Sequence, residues 1–210
     1  MRSATKPGRQ RRKEARPAEI MAAALQLFSE RGFATTRLED VADAAGVSKA
    51  TIYLYFDSKA DLFKAIVRDV ASPRVGIIES LIDEFGGSAT ELLRALYNQA
   101  SAIVGSQEMR PILKVVISEA GNFPDIAEFY RTEIAFRGLN AIARIIERGI
   151  KLGEFRQCDA IATAQSVIFP LLMNALATQV FGPLPELEPE RFLPSHLDFV
   201  LRGLAASKEA

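Results

Sequence analysis

The segment TRLEDVADAAGVSKATIYLYFDSK, residues 36–59, constrains the fold more than any other part of this chain. Thr36 and Glu39 stand three apart, the spacing of a capping box that opens a short helix. Leu38, Val41, Ala42 and Ala45 then share one face of that helix. Gly46 ends it, and Ser48 stands where a side-chain oxygen caps the next helix. In that second helix Ile52 and Phe56, four apart, point inward. Ala42 and Ala45 are small enough for close approach, and Val47 plugs the elbow between the helices. Two short helices fixed at a glycine elbow are a helix-turn-helix. Such a unit docks its second helix in the major groove of DNA while the first crosses the backbone.

Projection at about 100° per residue puts Ala50, Tyr53 and Leu54 outward, with Thr51 beside them. Lys49 and Tyr55 flank the buried stripe. An outward leucine suits thymine methyl groups, and a lysine suits guanine or phosphate. Ala50 lets the backbone come close to base edges. Thr51, Tyr53, Tyr55 and Lys59 are apt phosphate partners, which set register rather than sequence preference.

The remaining chain reads as helix, because no useful stretch alternates at period two. The fold expected is all-α: an N-terminal three-helix helix-turn-helix domain, then a larger helical domain, about nine helices in total. Residues 1–15, polar and basic with Pro7 and Gly8, read as a disordered tail. The helix-turn-helix domain is placed at 16–62 and the larger domain at 63–206. Ser72-Pro73 should kink or break the fourth helix. Ser88 and Glu91 open another, and further helices are expected near 108–120, 124–152, 159–181 and 189–206.

Charge is balanced overall, with 26 basic and 26 acidic residues, but unevenly placed. Residues 1–16 hold seven basic residues against Glu14 alone. A basic head on an acidic body points to a polyanion partner at one end. Arg9, Arg11, Arg12, Lys13 and Arg16 are candidates for phosphate or minor-groove contacts. Residues 160–185 carry no charge and are long enough to span a bilayer. Their polar loading, Thr163, Gln165, Ser166, Asn174, Thr178 and Gln179, argues instead for a helix buried against core and partner. The single cysteine, Cys158, permits no internal disulfide, which fits a cytoplasmic protein. No membrane partner is expected.

The 36–59 segment resembles the DNA-binding signature of the TetR family of bacterial regulators, over a match running from about Glu19 to Ile66. The segments FPDIAEFY and GIKLGEFR are also similar to the family's larger domain. The resemblance implies that Lys49 and Ala50 read bases. It implies that Thr51, Tyr53, Tyr55 and Lys59 meet the backbone or groove edge, and that Thr36 and Arg37 touch phosphate. Ala50 replaces a frequent glycine and Arg37 a frequent small hydroxyl residue, so operator sequence does not carry over. Ser48 and Leu54 complete the DNA-contact candidates.

The resemblance further implies a repressor that binds a palindromic operator as a homodimer and is released by a small, largely apolar ligand. In the last helix Leu193, Leu197, Val200, Leu201 and Leu204 form one apolar stripe. Phe192, His196, Phe199 and Gly203 form another, assigned to the dimer partner. Candidates to line a ligand pocket are Phe63, Met109, Leu113, Val116, Ile117, Phe123, Phe129, Tyr130, Gln165, Phe169, Met173 and Asn174. The alternative is a DNA-binding architectural or adaptor protein with a filled core and no small effector. No enzyme is expected, for the sequence has one histidine, no nucleophile elbow and no phosphate-cradling loop. With one His and one Cys no metal site is expected, and no cofactor is expected.

Overall fold

The computed structural model describes residues 8–182 and 189–206. In chain order the helices are α1 (Gly8–Arg31), α2 (Leu38–Ala44), α3 (Lys49–Ile52), α4 (Lys59–Val70), α5 (Ser72–Glu84), α6 (Ala89–Val104) and α7 (Met109–Glu119). They continue with α8 (Pro124–Tyr130), a π-helical turn (Arg131–Ala135), α9 (Phe136–Lys151), α10 (Ala160–Phe181) and α11 (Pro189–Leu204). Taking α4–α5 as one kinked helix and α8 through α9 as another gives the nine expected. Among the described residues the only β feature is an isolated bridge between Phe155 and Ala205.

Two hydrophobic cores organise the chain. The first gathers α1–α4 and also takes Met109, Ile112 and Val115 of α7 and Ile126 of α8. Its centre is aromatic: Phe33 meets Phe28 at 4.9 Å, Phe63 at 5.7 Å and Phe123 at 5.0 Å between ring centroids. The helix-turn-helix therefore shares its core with α7 and α8 instead of packing alone. The second core joins α5, α6, α9, α10 and α11 around Leu92, Leu96, Ile145 and Val167.

Local chemistry explains the boundaries. Ser48, Ser58 and Ser88 each accept from the backbone N–H three residues on, as N-caps do. Gly46 has φ +65, the left-handed conformation that turns the chain between α2 and α3. Glu154 reaches the start of α6, accepting from the backbone N–H groups of Ala89 at 2.9 Å and Thr90 at 3.0 Å.

Three expectations are corrected. Residues 8–15, read as disordered, form the first turns of α1. Gln10, Arg11, Arg12, Lys13, Glu14 and Ala15 are strong helix formers, and that propensity outweighs their polarity. Residues 1–7 lie outside the described residues. The helix expected over 124–152 is interrupted by the π turn at Arg131–Ala135. The first helix of the motif is capped by Asp40, which accepts from the Arg37 backbone N–H at 2.8 Å, and not by a Thr36–Glu39 box.

Candidate nucleic-acid interface and internal cavity

α3 is short, but turns through Tyr55 and a Phe56 N–H bond to the Ile52 carbonyl continue its path. Ile52 and Phe56 are buried, which turns Lys49, Ala50, Tyr53 and Leu54 to the outside. Leu54 is 81% exposed, an unstable position for a leucine in water and a natural one against base methyl groups. Ser48 is exposed as well, and its hydroxyl lies 2.8 Å from that of Thr51. Arg37 is exposed at the start of α2, and with Tyr53 it rims a shallow polar groove. Tyr55 is half-buried and leans on Phe56, so its ring belongs largely to the core.

Three charged or polar side chains of α2, α3 and the turn after it are already engaged with one another. Glu39 pairs with Lys49 at 2.6 Å and accepts from the Tyr53 hydroxyl at 3.3 Å. The Lys49 hydrogen bond holds the Glu39 carboxyl below its ordinary range, and Glu39 raises Lys49 in return.

Two expected phosphate contacts are structural. Thr36 is 1% exposed, and its hydroxyl donates to the Gly32 carbonyl at 2.7 Å. Lys59 donates to the carbonyls of Phe33, Ala34 and Thr36, the last two at 2.9 Å. Its ammonium also lies 4.5 Å from the centre of the Phe33 ring. An ammonium has three protons, and all three of these are used inside the domain. Burial lowers the Lys59 pKa, opposed by the charge of Glu119.

The body of the molecule holds a cavity of about 230 Å³ between α5, α6, α7, the π turn, α9 and α10. Met109, Leu113, Tyr130, Gln165 and Phe169 line it as the sequence led one to expect. The rest of its wall includes Val75, Ile78, Ile134, Phe136, Gly138 and Leu139, which sequence reasoning missed. A glycine amid apolar residues at helical spacing was the one available signal. Seven candidates lie elsewhere. Phe63, Val116 and Phe123 pack in or against the first core, as does Phe129. Ile117 and Met173 face outward, and half-buried Asn174 is not part of the wall.

The cavity wall is mechanically joined to the DNA-binding end. Tyr130 ends α8, and its neighbour Phe129 takes the Arg68 guanidinium of α4 over its ring at 4.7 Å. Asp125, at the other end of α8, pairs with Lys64 of α4 at 2.9 Å.

On α11 the expected outer stripe divides. Phe192 and His196 turn inward and stack at 5.2 Å, with His196 Nδ1 2.9 Å from the Tyr97 hydroxyl. Phe199, 75% exposed, and Gly203 remain outward. On α10, Ile161, Phe169 and Met173 are exposed at multiples of four residues. By length and composition Ala160–Ala177 is apolar enough to cross a membrane. Cys158 is half-buried; its neighbours Arg156 and Asp159 bond the Gly203 carbonyl and cap α10 respectively.

Comparison with known proteins bears on the whole chain. Residues 20–66 match the family described as bacterial regulatory proteins, tetR family. Residues 91–196 match the AefR-like transcriptional repressor C-terminal domain. The transcriptional repressor KstR2 of Rhodococcus jostii is 26% identical over 196 residues, covering 92% of this chain and 93% of its own. The solved SmeT–triclosan complex superposes with a TM-score of 0.77 at 22% identity, covering 92% of this chain and 93% of that one. FadR of Bacillus subtilis, solved with stearoyl-CoA, gives 0.69 at 20% identity, covering 89% and 98%. With both halves matched and the helix-turn-helix geometry in place, this chain belongs to the TetR family of bacterial transcriptional regulators, DNA-binding proteins rather than enzymes.

Proposed function

We propose that the protein is a repressor that binds a palindromic operator as a homodimer and is released by a small, largely apolar ligand held in the cavity. The observation that carries this reading is the sharing of α8. One helix supplies Tyr130 to the cavity and Asp125 and Phe129 to α4. A molecule that prefers one position of α8 must, by linkage, favour one spacing of the recognition helices. An architectural protein without an effector has no use for such a cavity. The triclosan and the stearoyl-CoA bound in those two solved structures support a small-molecule effector.

A second copy of the chain explains the outer faces of α10 and α11. Phe169, Met173, Phe199 and Gly203 leave apolar surface uncovered, and a symmetric dimer would cover it. A dimer also sets two recognition helices against successive major grooves. Arg37, Ser48, Lys49, Ala50, Thr51, Tyr53 and Leu54 are the residues proposed to meet DNA.

The test is selection of bound fragments from genomic DNA with the purified protein, together with light scattering. Palindromic enrichment and a mass twice the 23.0 kDa of the chain are expected. A stable monomer, or enrichment without symmetry, overturns the proposal.

A further inference from the structure

The cavity's wall also specifies what kind of molecule fits it. Its side chains are apolar, the Met109 thioether included, apart from the Tyr130 hydroxyl and the exposed Gln165. Among the described residues no lysine, arginine, histidine, aspartate or glutamate lines it. The Tyr130 hydroxyl has no hydrogen-bond partner among the described residues. We propose that the effector is an uncharged, mostly hydrocarbon molecule carrying one hydrogen-bond acceptor, such as a carbonyl or ether oxygen, that takes the proton of Tyr130. This rests on the reading of the cavity as the effector site.

Each part has a physical cause. An ionised carboxylate or ammonium placed here would lose its water and find no opposite charge, which is prohibitive without a partner. A pure hydrocarbon would leave the Tyr130 hydroxyl dry and unsatisfied, at a further cost. An acceptor-bearing neutral molecule meets both conditions. Burial also keeps Tyr130 protonated far above the ordinary phenol range, so it stays a donor at every physiological pH. The volume, about 230 Å³, is below the usual range of about 300–1,000 Å³ for ligand pockets. It therefore suits a small chain, and any bulky charged headgroup must stay outside.

Three probes of matched length separate the possibilities: nonane, methyl heptyl ketone and nonanoate, titrated into full-length protein at pH 8 by calorimetry. The ketone is expected to bind, and nonanoate to bind at least about tenfold more weakly, for want of a counter-charge. Tyr130→Phe, nearly isosteric, should weaken the ketone by roughly threefold to tenfold, and should tighten nonane, which no longer leaves a hydroxyl dry. Failure of the ketone to bind overturns the proposal, as does nonanoate binding as tightly as the ketone. An unchanged ketone affinity in Tyr130→Phe, or an equal loss for nonane, overturns the role of the hydroxyl. Operator release is scored separately by adding the ketone to the protein–DNA complex. A ketone that binds through Tyr130 without releasing DNA contradicts the regulatory reading and leaves the ligand class standing.

Discussion

Glu39 of α2 holds Lys49 of α3 in a 2.6 Å ion pair on the face that is proposed to meet DNA. The same carboxylate takes the Tyr53 hydroxyl at 3.3 Å. Glu39 thus occupies, in the free protein, two side chains that a phosphate or base edge would claim. It preorders them, but DNA must displace it and tolerate its charge nearby. Replacing Glu39 with Gln keeps a hydrogen-bonding group and removes the charge. Operator affinity, read by fluorescence anisotropy, is expected to rise a few-fold in Glu39→Gln. The gain should shrink as salt is raised, because exposed charges are screened. Equal affinities at low salt would show that Glu39 does not compete with DNA.

Lys59 separates a structural from a recognition role. As a phosphate contact, its loss would weaken DNA binding and spare stability. Here its ammonium ties together three carbonyls of the segment joining α1 to α2. Lys59→Met should therefore destabilise the protein by about 1–3 kcal/mol, the cost of leaving such groups unpaired. Thermal unfolding checks this. A variant as stable as the parent, but weak on DNA, would return Lys59 to the DNA interface.

His196 gives the fold a dependence on mild acid. It contacts the Tyr97 hydroxyl through Nδ1, stacks on Phe192 and lies by the Ser166 carbonyl. Burial lowers its pKa below the ordinary 6.5, with the Ser166 carbonyl opposing. The unfolded chain thus takes up the proton first as pH falls. Stability from this group is complete above pH 6.5 and is lost as pH falls through the lower folded value. Urea midpoints should decline from pH 8 to pH 5, and His196→Gln should flatten the decline. The same decline in the variant would assign it to other groups.

The helical layout was legible because its signals are local. Ser48 and Ser88 act at the caps that their spacing marks, and Gly46 turns the chain where it should. What was not legible depends on which neighbour a helix face meets. Phe63 and Phe123 have the same apolar character as Leu113 and Phe169, yet the first pair fills the aromatic cluster around Phe33 and the second pair lines the cavity. Periodicity reports that a face is buried and not what it is buried against. Likewise Phe192 and Phe199 fall on one stripe by spacing, but the stacking of Phe192 on His196 draws only that part of the stripe inward. The internal bonds of Thr36 and Lys59 were not legible, because a polar residue in a binding motif also serves to satisfy buried carbonyls, which sequence does not display.

Two glycines of α9 make the cavity testable by filling it. Gly138 lines the cavity, and a Cβ built there meets nothing within 4 Å. A Cβ on Gly149, in contrast, would collide with the ring of buried Phe155. Both lie inside the same helix, so alanine brings each the same helical gain of about 1 kcal/mol. Gly138→Ala should realise it, and Gly138→Leu should add packing as its side chain enters the empty space. Gly149→Ala should instead destabilise by about 1–3 kcal/mol, because the Phe155 ring must move within a packed core. Gly138→Leu should also lose its response to the effector while still binding the operator. The readouts are thermal midpoints and DNA release by the ketone probe. If Gly138→Leu unfolds more readily than the parent, or still releases DNA normally, the space beside Gly138 is not the effector site.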